Sequence, residues 1–480
     1  MNKQVDGITH EQTPVDPSRR AACGTMMRMR VAWFSPLPPN PSGVAAYSWE
    51  GVGALAARGW QIDLYAPTLP DRPCPAGVSA YRAVDFVWRH RRQPYDLPVY
   101  QVGNSSAHDF LWGYLFQYPG LVVLHDGQVH QARARYLLER WKPRLADYLA
   151  ELSANHPGIR TDIGHLVAAG YGGTLYSRWP MTRLVIERAR LTAVHAPRLA
   201  ARLAHDHRRS AIRALRPGVV DPRQTSGSLE AAATAVRTRY GIPTEAVVFG
   251  AFGGLTPEKR LPALLSALTR LPTSGPPVHL LLVGKPYRHY DVEAAIQGHG
   301  LAHRVHVTGY IDDAAVPAHL AAVDVCVCLR WPSTGETSGF WTRAIGAGRP
   351  VITTTLSVHG DLPLCDVGAE ASASLDAIGY RIDVLAEDKE LPTALEALVV
   401  DADQRTRMGE AARRYWDTHH AIDLMADDYE RLMTEAAARS GGDVPLPAHL
   451  QTTGDELART LLRESGMPGL PWEGRGTPPS

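Results

Sequence analysis

The sequence predicts an α/β protein built from two doubly wound domains that face each other across a cleft. Three observations carry this expectation. Short apolar runs of strand length recur, and each ends in polar residues: "RVAWFS", "LPVYQVGN", "LVVLHD", "AVVFGAFG", "VHLLLVG" and "DVCVCLR". Single helical stretches separate most of them, which is the pattern of a parallel sheet. The pattern also stops in a polar stretch, "PRQTSGSLEAAATAVRTRY" (222–240), and then restarts. A chain of 480 residues exceeds a single typical core, so two halves are the natural division.

Taken in order, residues 1–28 are polar, lack the apolar core of a signal peptide, and read as a disordered N-terminal segment. The first domain spans 29–220. Its first strand, "RVAWFS", leads through the loop "PLPPNPSG" into a helix that opens at Gly43 and runs to about Arg58. "WQIDLYAP" is the next strand. The glycine fingerprint of dinucleotide-binding units is absent here, because Gly43 is the loop's only glycine. "LPVYQVGN" (97–104) and "LVVLHD" (121–126) follow as buried strands, then a long Arg- and Leu-rich helical stretch from about Gln131 to Arg190. "LTAVHAP" (191–197) and "AIRALRPGV" (211–219) close this half.

The second domain spans 235–410. It alternates strands at 246–253, 278–284, 304–310 and 323–330 with the helices "TPEKRLPALLSALTRL", "DVEAAIQGHG" and "DAAVPAHLAAV". A further helix and "PVITT" complete it. The helical run from Asp403 to Ser440 would extend roughly 50 Å at 1.5 Å per residue. Its part 411–440 is expected to cross back to the first domain, and the Gly/Pro-rich end, 441–480, to form a flexible tail.

Fifty basic and forty-nine acidic residues balance, so nothing in the charge points to nucleic acid. Cys23, Cys74, Cys326, Cys328 and Cys365 form no disulfide framework and suit a reducing cytoplasm. No apolar run is long enough to span a membrane. No HExxH or Cys/His spacing occurs, so no bound metal and no other cofactor are expected.

The candidate chemistry sits at strand ends. Lys259, in "GGLTPEKR", is expected in the first turn of a helix, where free N–H groups favour an anion and where Arg260 adds a second cation. His125 ends a central strand and suits a sugar hydroxyl or acid–base work, a structural histidine being the alternative. His130 and His195 are weaker candidates. Glu336 lies among small polar residues between the strand 323–330 and a helix, beyond a strand's carboxyl end, where ligands of open α/β sheets collect. "VTGYIDD" (307–313) ends a strand with a glycine, which admits a flat ring as readily as it makes a plain turn.

Together "NPSGVAAYS", "YQVGN", "VVLHDG", "LTPEKR", "HLLLVG", "VTGYIDD" and "GETSGFWTRAIGAGRPVI" resemble, in order and spacing, the retaining glycosyltransferases of family 4, of the GT-B fold, over about residues 29–437. The resemblance implies transfer of a sugar from a nucleotide-sugar donor with retention at the anomeric carbon. It implies that Lys259 holds the donor diphosphate with help from Arg260, that Glu336 contacts donor-sugar hydroxyls, and that the backbone at Thr337, Ser338 and Gly339 approaches sugar and diphosphate. Gly43 would bring the first loop to the same place. His125 would face the transferred sugar and the acceptor, and Gly309, Tyr310 and Ile311 would flank the base.

Two departures from the family stand out. Where the family carries a second Glu for the ribose, this segment is one residue shorter and has Arg343 or Ala344. Where the family often has an arginine five residues before the lysine, this chain has Gly254, so the phosphate clamp rests on Lys259 and Arg260 or borrows Arg343. A weakly catalytic nucleotide-sugar-binding protein and a nucleotide-sugar epimerase are therefore the alternatives. The acceptor is open: a glycan, a lipid-linked molecule or a small molecule. The basic stretch with Arg133, Arg135, Arg140, Lys142 and Arg144 suits weak peripheral association with the inner face of an anionic membrane, an ordinary solvated helix face being the alternative.

Overall fold

Strands form where the apolar runs predict them, and three short ones form where no run signals them. The computed structural model describes residues 29–139, 143–224, 227–287, 290–333, 335, 338–355, 362–368 and 376–451. The first half contains β1 (Val31–Phe34), β2 (Ile62–Ala66), β3 (Val78–Arg82), β4 (Leu97–Val102), β5 (Leu121–Leu124), β6 (Leu191–Val194) and β7 (Ile212–Ala214). They form one sheet in the order β3-β2-β1-β4-β5-β6-β7. The second half contains β8 (Val247–Phe252), β9 (Val278–Val283), β10 (Val305–Gly309), β11 (Val325–Cys328), β12 (Val351–Thr354), β13 (Cys365–Asp366) and β14 (Gly379–Ile382), ordered β10-β9-β8-β11-β12-β14-β13.

Pairing within both sheets is parallel, with β1 flanked by β2 (Val31 opposite Ile62) and by β4 (Val31 opposite Leu97). The central strands β1, β4, β8 and β9 are buried at every position. Helices cover both faces of such sheets, so their strands read as continuous apolar runs. β3, β13 and β14 escape the sequence reading. β3 is an edge strand, β13 has two residues, and "GYRI" of β14 carries only a weak apolar pattern.

The C-terminal helical run is not one rod. It breaks at His420 and Ala421 into helices Ala402–His419 and Ile422–Ala437. The break corrects the expected crossing at 411: the first helix packs in the second half and the later one enters the first. Met425, Tyr429, Leu432 and Met433 are fully buried against Val31, Trp33 and Leu64. The expected flexible tail is also corrected in part. Val444 and Leu450 are buried in the core of the first half, and His449 bonds Glu151 at 2.7 Å. Residues 1–28 and 452–480 lie outside the described residues.

The basic stretch after β5 folds into separate helices, among them His130–Leu138, Leu145–Asn155 and Thr161–Ala168. Arg133 is buried against Glu151, while Arg135 pairs with Glu139 and Arg144 with Asp147. Burial keeps Arg133 off the surface, whereas Arg135 and Arg144 stay partly exposed in surface ion pairs; Arg140 and Lys142 lie outside the described residues. No described helix is long and apolar enough to cross a membrane.

The two halves meet through named contacts. Glu50, on the helix Gly43–Ala57, pairs with Arg343 of the second half through one carboxylate oxygen and accepts the Val220 N–H at 3.1 Å through the other. Just past the crossover, Asp221 pairs with Arg413 at 2.7 Å.

Candidate functional site

In an open parallel sheet the ligand crevice lies beyond the carboxyl ends of the strands, where the strand order reverses. In the second sheet that point falls between β8 and β11. The chain leaves β8 through Gly253 and Gly254 and makes a tight turn at Pro257–Lys259 before the helix Leu261–Thr269 begins. Lys259 therefore precedes the helix rather than lying in its first turn, because Arg260, at φ +56°, separates the two. The Lys259 ammonium folds back onto the Phe252 carbonyl. Gly253 makes room for it: φ is +88°, and an added Cβ would lie 2.8 Å from Lys259 Nζ. Lys259 is partly exposed as a residue, but its ammonium is desolvated. That burial, with Arg330 nearby, pushes its pKa down to about 7.

Arg330 lies two residues past the end of β11. The next residue, Trp331, donates its N–H to the Glu258 carbonyl at 2.8 Å, drawing the loop after β11 against the Lys259 turn. Glu336 and Thr337 lie outside the described residues. Gly335, at φ +85°, passes so close to the first half that an added Cβ would meet Leu199 Cδ2 at 3.3 Å and Gly127 Cα at 3.8 Å. Ser338 then caps the helix Gly339–Gly346 by accepting the Trp341 N–H at 3.3 Å. Among the described residues, a Cβ at Gly339 would meet nothing within 4 Å.

Two of the expected cations are engaged elsewhere. Arg260 forms an ion pair with the buried Glu387, its Nε lying 2.9 Å from a carboxylate oxygen. Arg343 is held by Glu50 across the cleft. Gly309 ends β10 at φ +72°, Tyr310 is 56% exposed, and Ile311 packs partly against the second core.

On the first sheet, polar side chains gather at the ends of β4, β5 and β6. His125 Nε2 bonds Gln101 Oε1 at 2.8 Å, and since that oxygen only accepts, Nε2 carries the proton. Burial, reinforced by His195 and His108, holds the His125 pKa well below the ordinary value, so the ring is neutral at physiological pH. Tyr47 packs edge-on against His125 (4.9 Å) and His195 (5.1 Å), and its hydroxyl lies 2.9 Å from that of Tyr429. His130, by contrast, is spent on the Trp179 carbonyl and the Tyr148 hydroxyl. Gly43 opens the helix that carries Tyr47, and a Cβ there would meet nothing within 4 Å.

Among the described residues, the candidate site sets Leu199 against Gly335, with His125 on the side of the first sheet and Lys259 and Arg330 on that of the second. Sequence reasoning missed Arg330, Gln101, Tyr47 and Glu50. Arg330 carries the same signal that marked His125, a polar residue ending a buried strand. Gln101 and Tyr47 sit inside regular elements, where nothing distinguishes them. Among the described residues no group of three or more His, Cys, Asp or Glu converges as a metal-ligand set.

Residues 246–365 match the family model for glycosyl transferases group 1. A 2-deoxystreptamine glucosyltransferase of Streptomyces kanamyceticus is 29% identical over 224 residues, which cover 45% of this chain and 54% of that enzyme. The match therefore spans about half the length of that relative. Among solved structures, sucrose-phosphate synthase from Thermosynechococcus elongatus superposes with a TM-score of 0.59 at 17% identity, covering 85% of this chain and 99% of that one. The catalytic domain of starch synthase IV from Arabidopsis thaliana, bound to ADP and acarbose, gives 0.59 at 12% identity, with 86% and 100% coverage. HepE from Anabaena in complex with UDP and glucose gives 0.56 at 15% identity, with 85% and 100% coverage. These likenesses establish the fold as GT-B.

Proposed function

We propose that the chain is a retaining glycosyltransferase that moves a hexose from a nucleotide-sugar donor to a hydroxylated acceptor without a metal ion. The observation that carries this reading is the desolvated Lys259 ammonium at the reversal point of the second sheet, beside a loop that touches the His125 side of the first. A diphosphate leaving group develops negative charge as its bond to the anomeric carbon breaks. Cations and helix N-termini fixed in advance stabilise that charge without reorganising. In this reading Lys259 and the helix terminus at Ser338 and Gly339 supply that stabilisation, and Arg330 near Lys259 adds charge. Glu336 would accept donor-sugar hydroxyls, His125 would border the transferred sugar as a neutral ring, and Gly309, Tyr310 and Ile311 would flank the base. Arg260 and Arg343 can join the diphosphate only by leaving Glu387 and Glu50.

The structural neighbour from Anabaena binds UDP and glucose, which makes UDP-glucose the first donor to try. The name of the Streptomyces relative puts 2-deoxystreptamine among the first acceptors, ahead of glycans and lipid-linked molecules. The deciding experiment is a panel of nucleotide sugars scored by thermal stabilisation and by release of nucleoside diphosphate, with and without acceptor and EDTA. A ligand at 100 times its dissociation constant adds about 2.7 kcal/mol of stability. Stabilisation without turnover favours the binding-protein alternative, and a changed sugar with no acceptor present favours epimerisation. A strict requirement for Mg²⁺ or Mn²⁺ overturns the metal-free part of the reading.

A further inference from the structure

We infer that the second half carries a further anion site, an arginine-lined cavity that takes a phosphate group, free or borne by a small molecule, on the side of the sheet opposite the donor crevice. The assignment does not depend on the glycosyltransferase reading. The cavity, of about 610 Å³, lies at the amino ends of β11 and β12, between Asp324, the turn 347–350 and the helix Ala402–His419. Arg223, Arg349, Arg405, Arg413 and Arg414 line it. Five guanidinium groups thus meet two carboxylates there, Asp324 and Glu410. Asp324 is already committed: one of its oxygens accepts the Val248 N–H at 2.7 Å and pairs with Arg237 at 2.9 Å.

Three of the five arginines have acidic partners. Arg413 pairs with Asp221 at 2.7 Å and with Asp417 at 2.9 Å, while Arg414 and Arg223 lie 3.7 Å from Asp376 and 3.9 Å from Asp221. Arg349 and Arg405 have no acidic partner among the described residues; main-chain carbonyls in the last turn of a helix hold each of them. Arg349 Nη2 donates to the Ala321 carbonyl at 3.0 Å, and Arg405 Nη1 donates to those of Leu398 at 2.6 Å and Val399 at 3.0 Å. Such capping suits the negative end of a helix and would by itself account for an arginine in either place. It occupies only one nitrogen of each guanidinium, however. The other nitrogens make no hydrogen bond among the described residues, and Arg349 Nε is buried without a partner. Burial also pulls the Arg349 pKa below its ordinary value. A helix end carries about half an elementary charge, so capping leaves each guanidinium with a surplus. Two planar forks fixed by the backbone, with donors and charge to spare, suit the bidentate recognition of phosphate. The wall is also close-packed: a Cβ added at Gly409 would collide with the Gly348 carbonyl, so the helix bearing Arg405 sits directly on the turn bearing Arg349.

The test is calorimetric titration of the full chain, at fixed ionic strength, with inorganic phosphate, pyrophosphate and glucose 6-phosphate, and with glucose as the uncharged control. Wild type is expected to bind at least one of the three anions and not glucose. Tighter binding of glucose 6-phosphate than of both inorganic anions assigns a phosphate ester; the reverse order assigns the free anion. Arg349→Gln should weaken binding at least about tenfold, the loss of one charge-assisted contact. Thr406→Glu disturbs neither capping arginine. Thr406 is exposed, lines the cavity and bonds only Ala402 of its own helix. A carboxylate there should weaken binding by a similar factor with the melting temperature unchanged. Lys259→Met, on the opposite side of the sheet, should leave binding within about threefold of wild type. No binding of any of the three anions at millimolar concentration would overturn the assignment, as would unchanged affinity in Thr406→Glu. A loss in Lys259→Met alone would place the anion in the donor crevice and overturn it too. Failure of every nucleotide sugar in the donor panel would overturn the glycosyltransferase reading and leave these outcomes untouched.

Discussion

Lys259 has a pKa of about 7 in the free protein, so binding of a diphosphate beside it must be coupled to a proton. A nearby dianion favours the charged ammonium and raises its pKa, so the complex holds the proton that the free protein has partly lost. From a free pKa of about 7, uptake on binding is roughly 0.1 proton at pH 6, 0.5 at pH 7 and 0.9 at pH 8. The sign follows: affinity is flat below pH 7 and falls as pH rises above it, by up to about tenfold per unit. Charge-assisted hydrogen bonds are worth roughly 1.5–3 kcal/mol, so Lys259→Met should weaken binding about 10- to 150-fold at pH 6. The assay is calorimetric titration of UDP in two buffers of different ionisation enthalpy, at pH 6, 7 and 8. UDP also titrates near pH 6, so the informative quantity is the difference in proton uptake between wild type and Lys259→Met. That difference should grow from pH 6 to pH 8. Identical uptake in the two proteins at pH 8, or unchanged affinity at pH 6, would refute the placement of Lys259 against the diphosphate. His125 and His195 do not confuse the measurement, because both are held neutral across this range.

Other outcomes follow from the same geometry. Glu336→Gln keeps its shape but loses its charge, so turnover should fall at least about tenfold, or ~1.4 kcal/mol, with little change in UDP affinity; equal loss in both would move Glu336 to the nucleotide. Arg343→Ala should leave UDP affinity within about threefold and lower the melting temperature, because its partner is Glu50; the pair is only partly buried, so roughly 1 kcal/mol is expected, and a large loss of UDP affinity would return Arg343 to the donor. Glu151→Ala should destabilise the first half by about 3–5 kcal/mol, since it strands a buried arginine. Burial alone would raise the Glu151 pKa, but Arg133 and His449 outweigh it and hold it below the ordinary value. That stability is therefore present above the ordinary carboxylate pKa and disappears as pH falls through the depressed one. Urea melts at pH 7 and at lower pH read it directly.

Much of the fold was legible because parallel strands buried on both faces must be apolar throughout. "VHLLLVG" and "LVVLHD" could hardly be anything else once single helices separated them. What escaped was local. The edge strand β3 needs no such run, and the break at His420 falls inside a segment whose composition is helical on both sides. The positions of Lys259 and His125 beyond the carboxyl ends of strands were legible because each polar residue interrupts an apolar or glycine-rich context. Arg260 and Arg343 were legible as cations but not as paired cations: Glu387 and Glu50 lie 127 and 293 residues away in sequence, and only the tertiary structure joins them.

The return of the helix Ile422–Ala437 also governs the order in which the molecule can be completed. The second half, from the helix Leu229–Arg239 to His419, is contiguous in sequence, whereas the core of the first half lacks Met425, Tyr429 and Met433 until synthesis has passed the second half. The half that emerges first from the ribosome must therefore wait for the last, with the apolar face of its sheet near Val31, Trp33 and Leu64 uncovered. Nascent chains arrested before residue 420 should be protease-resistant in the later half and digestible in the earlier one. The segment made first would then need a chaperone's cover for longest.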